Sequence, residues 1–101
     1  MPDTLCLNLL CPLAVEERVL DALLATAGID IFASTPAFAH GFEHGDLSPE
    51  EQVSGRSGSG LVQVLVEASR IDALLDELQP ELARTGVRFW VTPVIRRGDF
   101  K

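Results

Sequence analysis

Residues 4–28 read TLCLNLLCPLAVEERVLDALLATAG, and the spacing of their apolar side chains changes at Pro12. Residues 4–11 form an almost continuous apolar run, which is typical of a strand buried on both faces. From Leu13 onward the apolar residues recur at helical spacing, with charged residues on the opposite side. Gly28 suits the position just after a helix, because glycine adopts a positive φ without steric cost. The stretch therefore predicts a strand followed directly by an amphipathic helix.

The same change of period returns in the second half of the chain. Residues 61–68 alternate valines with other side chains, which indicates a strand. Ser69 then precedes a helical stripe of isoleucine and leucine residues and suits its N-cap. Pro80 lies inside this stripe, so we expect the helix to kink or break there before Gly86 closes it.

Two further strand patterns complete the predicted fold. Residues 29–36 alternate apolar and polar side chains, and residues 87–95 form another short apolar segment. The resulting order is βαββαβ, with two right-handed β-α-β crossovers. This order predicts an α+β ferredoxin-like sandwich, in which two helices cover one face of a four-stranded antiparallel sheet.

Composition limits the class of protein. A chain of 101 residues that is 47% hydrophobic allows a single domain over residues 1–101 and excludes a disordered chain. Its net charge of −7 argues against a nucleic-acid partner, which requires clustered cations. No apolar run approaches the roughly 20 residues needed to cross a bilayer, so we expect no membrane insertion.

The two cysteines favour a reducing compartment. Cys6 and Cys11 are separated by five positions on one predicted strand, which places them on opposite faces and about 16 Å apart. A disulfide requires Cα atoms within about 7 Å, so the two thiols cannot pair with each other. Together with the absence of a secretory signal pattern at the N-terminus, this predicts a cytoplasmic protein.

The sheet face away from the helices is predicted to be unusually apolar and to contain the only Trp of the chain. An exposed apolar patch of this size usually marks a protein–protein interface. A one-residue error in register would exchange the two faces, but residues 4–11 are apolar on both. We therefore predict that copies of the chain associate through Leu10, Phe32, Leu61, Leu65, Trp90 and Val94.

Residues 37–60 lose regular period and contain five of the eight glycines and both histidines. A loop of this length in a small domain is usually functional or disordered. Imidazole and carboxylate groups so close in sequence predict either a weak site for a divalent transition-metal ion or an ordinary solvated loop. The H-x-x-E-H spacing also occurs in zinc proteases, but the flanking Gly41 and Gly45 disfavour the helix that such a site requires. The candidate metal ligands are His40, Glu43, His44 and Asp46.

Several arginines are candidates for an anion site, because the guanidinium fork matches carboxylates and phosphates. The candidates are Arg56, Arg84, Arg88, Arg96 and Arg97, and ion pairs with the excess acidic residues are the alternative. No serine or cysteine lies near a histidine in a pattern typical of nucleophilic catalysis. The residues therefore predict a protein that is not an enzyme, with a small ferredoxin-like enzyme as the least favoured alternative.

Short motifs resemble the PII (nitrogen regulatory) superfamily. They are ARTG at residues 83–86 and VTPV at residues 91–94, within the order βαββαβ. The segment EQVSGR at residues 51–56 is similar to a small bacterial PII-like group of unknown function that is often associated with heavy-metal efflux. The resemblance implies a homotrimer with ligand clefts between subunits, a cleft lip formed by Arg84, Thr85 and Gly86, and a partner-binding T-loop at residues 37–60.

Two departures from PII proteins limit what the resemblance implies. The Gly-rich, Lys-containing loop that holds ATP phosphates is missing, because Gly86 is followed directly by Val87 and Arg88. The tyrosine that is modified in the T-loop is also absent, since the chain contains no Tyr. We therefore expect a non-enzymatic PII-like regulatory or sensor protein that does not bind ATP. The alternative is a metal-binding accessory protein for cation efflux.

Overall fold

The computed structural model describes residues 2–29, 31–41 and 56–101 and contains four strands and two principal helices in those ranges. The sheet order is β2-β3-β1-β4, and all three neighbouring pairs are antiparallel. The predicted α+β ferredoxin-like sandwich is confirmed. In chain order the elements are β1 (Thr4–Pro12), a 3-10 turn (Leu13–Val15), α1 (Glu16–Ala25), β2 (Phe32–His40), β3 (Arg56–Glu67), a second 3-10 turn (Ala68–Arg70), α2 (Ile71–Leu82) and β4 (Arg88–Val94).

One apolar core lies between the helices and the two central strands. The register places Leu7 opposite Val64 and Leu9 opposite Val62, and all four side chains are almost fully buried. Burying one such side chain contributes about 1.5–3 kcal/mol to stability. The fold is therefore centred on β1 and β3, as the apolar run predicted. The buried core residues are Leu7, Leu9, Cys11, Val19, Leu23, Val62, Val64, Val66, Leu74 and Leu78.

The chain after the first helical region makes a close contact with Arg70 at Gly28. Gly28 has a φ of 84°, and a Cβ atom added there would lie 2.8 Å from Nη1 of Arg70. The Arg70 guanidinium also donates a hydrogen bond to the carbonyl oxygen of Ala27 at 3.2 Å. Glycine is needed at this position for both its backbone conformation and its lack of a side chain.

β2 and β3 extend further into the predicted loop than expected. They pair in register from Phe32 opposite Val64 to His40 opposite Arg56. The loop prediction for residues 37–60 is therefore wrong for 37–40 and 56–60, which form a two-stranded ribbon. Residues 42–55 lie outside the described residues. Pro36 is tolerated within β2 because this strand is at the edge of the sheet, where one side of the backbone needs no ladder partner.

The glycines that indicated a loop have a packing role in β3. A Cβ atom on Gly60 would lie 2.6 Å from the Glu16 carboxyl carbon, and one on Gly58 would lie 3.0 Å from a methyl carbon of Leu13. The start of the first helical region therefore rests directly on the β3 backbone. Glycine within a strand often marks such a close approach of another segment.

The prediction that Phe32 lies on the open face of the sheet is wrong. Phe32 is the first residue of β2 and pairs with Val64, so it shares the helix-facing side and packs against the core. The predicted strand began at Ile29, three residues too early. Ile31, which was expected to face the helices, precedes the strand and is exposed. Side chains alternate between the two faces along a strand. The prediction placed Ile29 and Ile31 on the helix-facing side, and this put Phe32 on the wrong face.

Candidate functional site

The open face is the side of the sheet away from the helices, and it carries five of the six predicted interface residues. Leu10 pairs with Leu61, and Leu65 pairs with Cys6 on the same side. Trp90 and Val94 of β4 lie opposite Asn8 and Thr4. Leu65 is 39% exposed and Trp90 is 44% exposed. The face therefore presents large apolar side chains to solvent.

A polar cluster, formed by Asn8, Gln63 and Thr92, lies in the middle of the open face. Asn8 is only 4% exposed, although no helix of the described part of the chain covers this side of the sheet. Its amide nitrogen donates to the Thr92 hydroxyl oxygen at 3.3 Å, and its amide oxygen accepts from Gln63 at 3.0 Å. The alternation of the strands placed these residues on one face, but the sequence did not reveal their mutual contacts. The available signal was Asn8, the one polar residue between Leu5 and Cys11.

The second candidate region is a cleft of about 360 Å³ between α2 and the start of β4. Arg84 and Gly86, two of the predicted cleft residues, line it. Asp76 and Gln79 contribute further polar groups from α2. The apolar lining comes from Leu9, Leu75, Leu78, Leu82, Ala83, Val87 and Phe89.

The chain that follows α2 is held in an unusual conformation beside this cleft. The helix continues past Pro80 to Leu82, so the predicted break falls two residues later. The Thr85 hydroxyl donates to the carbonyl oxygen of Leu82 at 2.5 Å, and the Val87 amide donates to the Thr85 hydroxyl at 3.4 Å. Thr85 therefore fixes the segment that displays Arg84.

Arg84 has a φ of 65°, in the left-handed region that few residues other than glycine adopt. Such conformations cost energy, and strained residues of this kind cluster at active sites and ligand clamps. Gly86 has a φ of 84° and packs against Pro12. The two residues therefore give the cleft lip a defined shape.

The other two predicted cleft residues lie elsewhere. Arg88 pairs with Leu10 and belongs to the open face. Arg56, whose backbone alone is described, pairs with His40 on the ribbon, beyond the ladder that joins β3 to β1. The structure thus brings together Arg84, Thr85 and Gly86 and separates Arg56 and Arg88 from them.

The cysteines behave as predicted from their spacing. Both are free, Cys6 on the open face and Cys11 in the core. Burial, together with the nearby Glu16 carboxylate, raises the pKa of the Cys11 thiol to about 11. The thiol therefore stays protonated near neutral pH, which makes it a poor nucleophile and a poor metal ligand.

Only one of the four candidate metal ligands is described. His40 is exposed at the end of β2, and Glu43, His44 and Asp46 lie outside the described residues. Among residues 2–29, 31–41 and 56–101, no three His, Cys, Asp or Glu side chains cluster in a way that could hold a metal ion. Within the same ranges, no helix has the length and apolar character required to span a membrane.

Solved structures with the same architecture come from several sources. A DUF3240 family protein from Shewanella baltica OS155 has a TM-score of 0.82 at 17% identity and covers 100% of both chains. CPII, a nitrogen regulatory PII-like protein from Thiomonas intermedia K12 bound to ADP, AMP and bicarbonate, has a TM-score of 0.70 at 16% identity and covers 95% of this chain and 96% of its own.

A third match is the periplasmic divalent cation tolerance protein CutA from Archaeoglobus fulgidus. Its TM-score is 0.68 at 15% identity, and the match covers 93% of this chain and 86% of that chain. These similarities establish a fold shared with PII-like and CutA-like proteins. A search of curated proteins finds no match by sequence. Residues 1–101 match the family described as "Protein of unknown function (DUF3240)", and the chain therefore belongs to that family.

Proposed function

We propose that this protein is a non-enzymatic PII-like regulator that works as a homotrimer in the cytoplasm. Its subunits associate through the open face, and a small ligand binds beside Arg84, Thr85 and Gly86. The observation that carries the proposal is the exposed apolar surface of the sheet, with Leu65 at 39% and Trp90 at 44% exposure. The resemblance to PII proteins supports the trimer as the form that covers this surface.

The total surface also favours association. The chain exposes 7219 Å² of accessible surface. A compact monomer of this length exposes about 5600 Å². The surplus is about twice the roughly 800 Å² that one partner contributes to a standard protein–protein interface, as expected for a subunit with two neighbours. Assembly of identical subunits would remove this surplus from water.

The cleft between α2 and β4 supports a binding role. Its lining combines mostly apolar residues with a few polar groups, which is the usual composition of a small-molecule site. The Arg84 guanidinium favours a ligand that carries a carboxylate or a similar anionic group. The missing phosphate loop leads us to expect that ATP does not bind, whereas the Thiomonas protein is described as bound to ADP, AMP and bicarbonate.

Light scattering at micromolar concentration tests the assembly, and the expected mass is three times that of one chain. A monomer would contradict the proposal. Thermal-shift measurements with a panel of nucleotides and small carboxylates test the cleft. We expect a ligand that raises the melting temperature of the wild-type protein but not that of an Arg84→Ala variant. An Arg18→Ala variant is the matched control, because Arg18 lies on α1 and does not line this cleft.

A second function is favoured by the CutA similarity, since that protein is described as conferring divalent cation tolerance. We propose as the alternative that the 37–60 segment binds a divalent transition-metal ion through His40, Glu43, His44 and Asp46, in an accessory role in cation efflux. The same segment is the proposed contact for a partner protein. His40 is exposed at the end of β2, so both a metal ion and a partner protein can reach it.

Calorimetry with zinc, copper(II), nickel and cobalt distinguishes the two functions. If the metal function is right, at least one ion should give a heat of binding with the wild-type protein. The double variant His40→Ala/His44→Ala should give none. An absence of heat with all four ions would exclude the metal function and leave the regulatory one.

A further inference from the structure

The hydrogen bonds of Asn8 are fully used within one subunit. Three acceptors lie within hydrogen-bond distance of its amide nitrogen and share its two protons: the carbonyl oxygens of Cys6 and Trp90, at 3.1 and 3.3 Å, and the Thr92 hydroxyl. Its amide oxygen accepts from Gln63 and from the Cys6 thiol. Asn8 therefore has no capacity left for an external partner. Its role is to hold the groups around it.

Gln63 keeps unused hydrogen-bonding capacity. Its amide nitrogen has one proton directed to Asn8, which leaves a second N–H and the amide oxygen. Within the described part of the chain, neither group has a hydrogen-bond partner. Gln63 is exposed in the isolated subunit, so water satisfies both groups there.

Apolar residues flank Gln63 along β3. Leu61 and Leu65 lie two positions away on the same face, each paired with a residue of β1. A partner that covers these leucines also covers the Gln63 amide and removes its water. Leaving a buried amide without a partner weakens association by about tenfold or more. The surface therefore favours a partner that offers one donor and one acceptor at the position of Gln63.

We propose that Gln63 is the residue through which copies of this chain recognise one another across the open face. A second copy supplies the required groups, because a Gln63 amide with one free N–H and one free oxygen complements another such amide. Asn8 is a positioning residue that fixes the orientation of Gln63. The inference rests on the proposed homotrimer. It adds that Gln63 is the residue that sets how the subunits align and how many of them associate.

The physical precedent is a polar residue at a single position of an apolar interface. Such a residue lowers stability but selects one register and one number of subunits, because any other arrangement leaves it unpaired. Gln63 meets this description, with a defined orientation within the subunit. The surplus of exposed surface noted above is sufficient for an interface between copies.

Two substitutions at Gln63 test the proposal by native mass spectrometry and sedimentation equilibrium. Gln63→Leu removes the amide and keeps the size of the side chain, so association should persist but divide between more than one stoichiometry. Gln63→Glu places like charges together in a covered face, so association at pH 7.5 should weaken by at least about 100-fold. Ala73→Glu is the control for the added charge, because Ala73 lies on the exposed side of α2 and lines neither the cleft nor the open face, and this variant should assemble as the wild type does.

The outcomes separate this inference from the proposed function. A wild-type monomer refutes the proposed homotrimer. A wild-type oligomer together with a Gln63→Leu protein of the same single stoichiometry overturns the role of Gln63, and so does a Gln63→Glu protein that assembles normally.

Hydrogen exchange of the Gln63 side-chain amide, followed by NMR in the wild-type protein, gives an independent measurement. We expect protection above the dissociation concentration and none below it, and equal exchange in both states contradicts the proposal.

Discussion

β1 and β4 are neighbouring strands with similar apolar content, yet they differ sharply in burial. Leu7 is fully buried, whereas Val91, which lies opposite it on β4, is 37% exposed. Leu9 is 2% exposed, whereas its neighbour Phe89 is 55% exposed. Both pairs face the helix side of the sheet. The two helices thus cover the centre of the sheet and leave β4 uncovered on this side as well as on the open face.

The difference teaches that an apolar pattern specifies the face of a strand but not whether a layer covers it. β4 has Phe89 and Val91 on one side and Trp90 on the other, and all three are exposed. An edge strand that is apolar on both sides is an aggregation hazard unless another chain covers it. This supports contact with neighbouring subunits around β4.

The largest expected effect compares Leu7→Ala with Val91→Ala. Removing the Leu7 side chain leaves a cavity in the closed core, so the free energy of unfolding should fall by about 2–5 kcal/mol. Val91 is partly solvated, and its truncation should cost about 1 kcal/mol or less in the separate subunit. Urea unfolding, followed by circular dichroism at several protein concentrations, measures both. A cost at Val91 that rises with concentration would show that a neighbouring subunit covers β4.

The next effect concerns the open side of β4. Trp90→Ala should weaken self-association by roughly 30-fold or more, because large aromatic residues at the centre of an interface contribute about 2 kcal/mol or more to binding. Ile95→Ala is the control, since Ile95 lies just beyond β4 and is 97% exposed. Sedimentation equilibrium measures both variants. An unchanged dissociation constant for Trp90→Ala would mean that the open face is not the interface.

The third effect contrasts the two thiols of β1. The folded state raises the pKa of Cys11 from 9.0 to about 11, so between these values the unfolded chain has lost a proton that the folded chain retains. Stability should therefore fall as the pH rises from 9 towards 11, by about 2 kcal/mol in total. Below pH 9 the contribution is fully present.

Chemical unfolding at pH 8, 9 and 10.5 checks this dependence, with Cys11→Ala as the reference that lacks the titrating group. The wild-type protein should lose more stability than the variant over this range. Equal losses in the two proteins would exclude Cys11 as the cause. Alkylation at pH 8 should modify Cys6 before Cys11, since Cys6 is only half-buried on the open face.

The sequence allowed the fold to be predicted because both strand–helix units carry a clear change of period. The helix-facing residues Leu7, Leu9, Val62, Val64 and Val66 are buried as expected, and Cys6 and Cys11 lie on opposite faces. Phe32 was misplaced because no local signal marks where a strand starts after a turn. The ribbon formed by the ends of β2 and β3 was missed because Gly58 and Gly60 indicate a loop unless the packing of Leu13 and Glu16 is known.

The candidate site was less accessible to sequence reasoning. Arg84, Thr85 and Gly86 came together because they are consecutive, whereas Arg56 and Arg88 depend on the three-dimensional arrangement and lie apart. The Asn8 network joins residues that are 55 and 84 positions apart in sequence. Such contacts follow from strand order and register, which a single sequence does not specify.

The smallest effect concerns the segment between α2 and β4, which joins the buried centre of the fold to the uncovered edge strand. Gly86 has a φ of 84°, so Gly86→Ala should destabilise the protein by about 1–2 kcal/mol through backbone conformation. The added Cβ atom would lie 3.4 Å from Pro12, an ordinary contact, so steric overlap adds little. Gly98→Ala is the control, because nothing lies within 4 Å of a Cβ atom there and its φ is not positive. If thermal unfolding shows equal stability for the two variants, the cleft lip relaxes freely, and the left-handed Arg84 beside it is not held by the fold.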